Sequence, residues 1–230
     1  MNNTLWQVLT LALPLIFAIV FHEVAHGLAA RALGDGTATE QGRLSLNPLR
    51  HVDPVGTLLL PGMLALAHLP VFGWARPVPV DARRLRNPRR DMALVGAAGP
   101  AMNLAMALLA AVAIGLAARW LGPGHRPGAA TAFVMTNLAI FIQVNLFLAL
   151  FNLLPLPPFD GSHVVEGLLP APLARGYARF RRVGMLVPIV LIVVVPRLVP
   201  GFDPIGLMVD PPVDWLYTRY LSLAQWIVTR

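Results

Sequence analysis

The stretch AIVFHEVAHGLAARALG, residues 18–34, sets His22, Glu23 and His26 in the middle of an otherwise apolar run. A carboxylate between two imidazoles on such a helix costs a few kcal/mol unless something at the site compensates. On a helix, positions i and i+4 share a face, so His22 and His26 can offer two ring nitrogens to one metal ion. Glu23, one step round, reaches a water on that ion. The alternative, two histidines bonded to neighbouring backbone, leaves Glu23 unexplained.

The surrounding chain is that of a membrane protein. Its 230 residues are 57% hydrophobic and 13% charged, with a mean hydropathy of +0.66, against about 25% charged residues in soluble domains. The net charge of +7 comes entirely from arginine, clustered between apolar segments. That pattern marks cytoplasmic loops and excludes a nucleic-acid surface, which needs a basic stripe interleaved with aromatics. Cysteine is absent, which removes disulfides, thiolate metal sites and a cysteine nucleophile. The first twenty residues lack a basic start and a small-residue cleavage site, so they are expected to stay as the first helix.

Apolar segments cover about residues 5–33, 57–70, 91–121, 130–154 and 183–200. Residues 71–90 hold six arginines, and the loop before residue 57 is also basic. Two basic flanks make 57–70, broken by Pro61 and Gly62, a re-entrant hairpin. The tail, 213–230, mixes Trp, Tyr and Arg with leucine and fits either an interfacial helix or a last span. The expected fold is an all-α polytopic membrane domain over residues 1–230, with about four to six transmembrane helices. Its core is 5–170 and its C-terminal helices lie in 183–230.

A catalytic zinc site takes three protein ligands and keeps a fourth position open, so one ligand is missing from the first helix. Asp160 stands out in FNLLPLPPFDGSHVV, where Pro155, Pro157 and Pro158 break the fourth segment and turn the chain back into the protein. Its competing role is an N-cap for the helix that follows. Asn152, one short loop earlier, is the first candidate to donate to a developing oxyanion. Asn145 lies within about 20° of the same helix face and serves either a substrate contact or a helix-to-helix hydrogen bond. Asn103 reads as a packing amide beside Gly99.

FHEVAHG at 21–27, AGPAMN at 98–103 and NLLPLPPFDG at 152–161 resemble the site-2 proteases, which are intramembrane zinc metalloproteases. GRLSLNPLRHVDPVGT at 42–57 and FGWARPVPV at 72–80 resemble the small subgroup without PDZ or CBS domains. The resemblance implies one zinc per chain held by His22, His26 and Asp160, with Glu23 as general base. It departs at His163, where relatives often carry Arg or Lys, and a structural role is expected there.

A helical substrate must unwind before its peptide bond is accessible, and an enzyme can hold the extended segment by strand addition. Residues 72–80 alternate and are extended by prolines, so Trp74, Ala75, Pro77 and Val78 form either such an edge, a small membrane-associated β element, or an arginine-rich surface loop. The expected activity is cleavage in or near a transmembrane segment of a membrane-protein substrate, in a prokaryotic plasma membrane with the active site towards the cytoplasm. A zinc transporter should show further ligands along a path, yet there is no acid or histidine between Asp91 and His125 or between Arg126 and Phe159. A metalloprotease acting on soluble chains is the remaining alternative.

Overall fold

The computed structural model describes residues 4–67, 73–122, 128–180, 184 and 186–230. The run that opens the chain forms α1, Thr4–Ala32. Two further long helices follow, α2 at Pro88–Leu121 and α3 at Ala129–Asn152. Proline at the first turn of α2 needs no helical hydrogen bond there, and the Asp91 carboxylate receives the Asn87 amide at 2.7 Å. Among the described residues these three are long and apolar enough to cross a membrane. Twenty-four residues, as in α3, span about 36 Å at 1.5 Å per residue, against a hydrocarbon core of about 30 Å. Leu11, Phe17, Leu109 and Val134 are exposed on them, as side chains facing lipid should be.

The bundle closes on a helix outside that set. The short α4, Gly161–Leu168, follows the proline-broken loop, and α5, Pro204–Thr229, ends the chain. Asp203 starts α5 by accepting from the amides of Ile205 and Gly206. The core joins Ala107, Ala110 and Ala111 of α2, Ile142 and Leu146 of α3, Leu154 and Phe159 of the loop, and Ile205, Val209 and Val213 of α5. Gly115 permits the approach, because a Cβ there would stand 2.8 Å from the Ala224 carbonyl oxygen. The tail is therefore packed along two spans.

Two sequence expectations are not confirmed. Residues 54–66 are helical, but 68–72 lie outside the described residues, so the return limb of the expected hairpin does too. No strand occurs among the described residues. The segment 73–81 is extended without a partner strand, for a reason in its own sequence: Pro77 and Pro79 have no N–H to give a ladder. The apolar run expected at 183–200 contains a shorter helical stretch, Leu186–Leu198.

Candidate metal centre

α1 sets His22 and His26 one turn apart, with their Nε2 atoms 3.0 Å from each other. The loop after α3 brings Asp160 Oδ2 to 3.1 Å from one and 3.2 Å from the other. Two core side chains fix this loop. Leu154 and Phe159 are both buried, and Phe159 packs edge-on against Phe151 at 4.5 Å. Although Asp160 precedes α4, its carboxylate makes no capping hydrogen bond, which sets aside the N-cap reading. Oδ2 is buried with no hydrogen-bond partner among the described residues.

Each imidazole has its other nitrogen committed. His22 Nδ1 donates to Asn103 Oδ1 at 2.5 Å, and His26 Nδ1 donates to the Val95 carbonyl at 2.7 Å. Neutral rings so held turn their Nε2 lone pairs towards each other and towards a carboxylate oxygen. Three electron-rich atoms in that position repel unless a proton or a metal ion lies between them. A tetrahedron with bonds of about 2.0–2.1 Å has edges of about 3.3 Å, close to the separations seen. The donor set therefore fits zinc, and the three residues form a group able to hold a metal.

The second layer spans the bundle. Asn103 is completely buried, and its Nδ2 donates to the Ala18 carbonyl at 3.2 Å and to Asn145 Oδ1 at 2.7 Å. Asn145, itself fully buried, gives its Nδ2 to the Phe141 carbonyl. Gly99 lies against the rings, since a Cβ there would stand 2.4 Å from His26 Nε2 and 2.6 Å from His22 Cε1. The sequence alone gives Asn103 and Gly99 packing roles; in the structure both also face the histidine rings. Their four-residue separation, matching that of the histidines, was the signal that they share the site-facing side of α2.

Glu23 Oε2 accepts the Val78 amide at 2.8 Å, while Oε1 has no hydrogen bond from the described residues. The segment carrying Val78 is tied along its length. The Trp74 and Arg76 amides donate to the carbonyls of Gly56 and His51, the Trp74 carbonyl accepts the Thr57 hydroxyl, and the Asp81 amide donates to Asp35 at 2.6 Å. Asp35 is fully buried. Burial alone would raise its pKa, but the hydroxyl and amide of Thr37 and the Asp81 amide outweigh it and hold the carboxyl below its ordinary value.

The structure thus brings His22, His26 and Asp160 together and lays Val78 on Glu23. Ala75 and Pro77 lie on that same segment, and the Trp74 indole covers Gly56, whose Cβ would stand 2.3 Å from Trp74 Nε1. Asn152 stands apart from this set of contacts, its Nδ2 donating to the Leu148 carbonyl at 2.9 Å. His163 packs against Gly96, outside the metal-ligating group.

The profile of Peptidase family M50 matches residues 125–195. The chain is 40% identical over 184 residues to YwhC of Bacillus subtilis, named a zinc metalloprotease, covering 80% of each protein. It is 30% identical over 181 residues to Rip2 of Mycolicibacterium smegmatis, also named a zinc metalloprotease, across 77% of this chain and 64% of that one. Rip2 of Mycobacterium tuberculosis is 30% identical over 177 residues, across 76% of this chain and 63% of its own length. No solved structure matches the chain.

Proposed function

We propose, from the premise that the chain belongs to peptidase family M50 and is a zinc metalloprotease, that it hydrolyses peptide bonds in or near transmembrane segments of other membrane proteins. The observation that carries this reading is the ligand set itself. His22 and His26 stand on a helix apolar and long enough to cross a membrane, and Asp160 meets them there from the broken end of another. The arginine-rich loop at 71–90 supports a site facing the cytoplasm.

His22, His26 and Asp160 would hold one zinc ion, which supplies Lewis acidity and an acidified water. Glu23 takes a proton from the attacking water on its free Oε1 and returns it to the nitrogen of the leaving amine. The Val78 amide holds Oε2 and so limits rotation of the carboxylate. Asn152 is proposed as a donor to the oxyanion, which requires its amide to leave the Leu148 carbonyl. Asn145, through Asn103, keeps His22 oriented.

An unwound substrate can lie along 74–78. The amides of Trp74, Arg76 and Val78 are already used inward. Of Ala75, Pro77 and Pro79, only Ala75 has an N–H for a substrate strand.

The reading is tested by measuring zinc per chain in purified wild type, Asp160→Ala and Glu23→Gln, together with cleavage of a Leu/Ala-rich model transmembrane peptide. The wild type should hold about one zinc and Asp160→Ala little. Glu23→Gln should keep zinc and lose cleavage. A folded Asp160→Ala protein with full zinc content removes Asp160 as a ligand, and an active Glu23→Gln enzyme removes the base.

A further inference from the structure

Arg43 is a buried cation, 9% exposed, and no carboxylate of the described residues lies within ion-pairing distance of it. Its Nη2 donates to the Arg76 carbonyl at 2.9 Å and to the Pro77 carbonyl at 3.3 Å. Its Nε is buried with no hydrogen-bond partner among the described residues. Burial pushes the guanidinium pKa down and the Arg76 charge adds to that; Glu23 opposes it and the Arg50 charge adds further. A charge placed at such disadvantage has a geometric use. The two carbonyls it grips stand immediately before Val78, whose amide rests on Glu23.

We propose that Arg43 is a positioning residue: by gripping the Arg76 and Pro77 carbonyls it fixes the Val78 amide on Glu23 Oε2, and so determines which carboxylate oxygen remains free. This rests on the reading of Glu23 as the base. The Val78 side chain is buried against Gly27 of α1, which seats the residue, but among the described residues the backbone carbonyls before it are held at that point by Arg43. The Arg76 amide on the His51 carbonyl holds the chain upstream, and the Asp81 amide on Asp35 holds it downstream. Between them Pro77 has no amide to anchor.

The test is hydrogen exchange at the Val78 amide in the full-length protein in detergent, compared between wild type, Arg43→Ala and Arg43→Lys, with zinc content read on the same samples. Arg43→Ala should exchange Val78 at least about fivefold faster. Arg43→Lys, which keeps a cationic donor for one carbonyl, should lie between. Zinc per chain and exchange across residues 18–26 should not move. On the model transmembrane peptide, kcat should fall about 10- to 100-fold while KM stays within about twofold.

Unchanged Val78 exchange overturns the proposal, as does an equal acceleration across α1, which would make Arg43 merely structural. A raised KM with kcat intact overturns it too. If Arg43→Ala does not fold, Arg43→Gln takes its place under the same criteria. The two readings fail separately. An active Glu23→Gln enzyme removes the base whatever Val78 does, whereas normal Val78 exchange in Arg43→Ala removes only the role given to Arg43.

Discussion

Replacing Gly99 by alanine adds one carbon at the centre of the proposed site. The new Cβ would stand 2.4 Å from His26 Nε2 and 2.6 Å from the Cε1 atoms of both histidines. Unstrained contacts between such atoms lie near 3.5 Å, so α2 and the rings must separate by about 1 Å. Neither side yields cheaply. His22 is tied to Asn103 and His26 to the Val95 carbonyl, and both acceptors are on α2 itself. Because a metal site tolerates about 0.2 Å in its ligand distances, zinc affinity should fall at least about 100-fold, or ~2.7 kcal/mol at 1.36 kcal/mol per decade. The assay is zinc retention against graded chelator. Gly176→Ala, in the helix Ala171–Phe180, is the control, since nothing of the described residues lies within 4 Å of the added carbon and the helix should gain up to about 1 kcal/mol of helix preference. A folded Gly99→Ala protein with wild-type zinc affinity would refute the close packing of α2 on the imidazoles.

Two further outcomes follow from the same geometry. Asn103→Leu keeps the branched shape, with somewhat bulkier methyl groups, but removes the acceptor for His22, and it should weaken zinc about 10- to 100-fold while Asn103→Asp, which keeps an acceptor, loses less; equal zinc binding in all three proteins would deny the orienting role. Asp35, whose carboxyl is held below its ordinary value, contributes stability that is full above its unfolded pKa of about 3.9 and is lost as pH falls through the folded value. Thermal unfolding of Asp35→Asn should therefore depend less on pH than wild type below about pH 4, and parallel curves would assign the acid sensitivity elsewhere.

The proposed ligands were legible because the spacing of His22 and His26 is local. Asp160 was legible because prolines announce the break that precedes it. The partners of those ligands were not, since Asn103 meets His22 across 81 residues and only the packing of α2 on α1 creates the contact. Arg43 was illegible for a different reason. In sequence it is one arginine among eighteen basic residues, and its burial depends on a segment more than thirty positions away. The extended segment itself was half legible: alternation and prolines predict its shape, and the same prolines deny it a ladder.

Asn103 touches all three spans at once, as a residue of α2 bonded to Ala18 and His22 of α1 and to Asn145 of α3. A change in spacing among those helices is passed to the His22 imidazole through this amide, as one between α1 and α2 is passed to His26 through the Val95 carbonyl. Zinc affinity then becomes a gauge of the bundle's geometry, readable with no substrate at all. Bilayers of different thickness, which alter helix tilt, should register as different chelator midpoints, and a detergent that preserves the native spacing can be chosen by the same number.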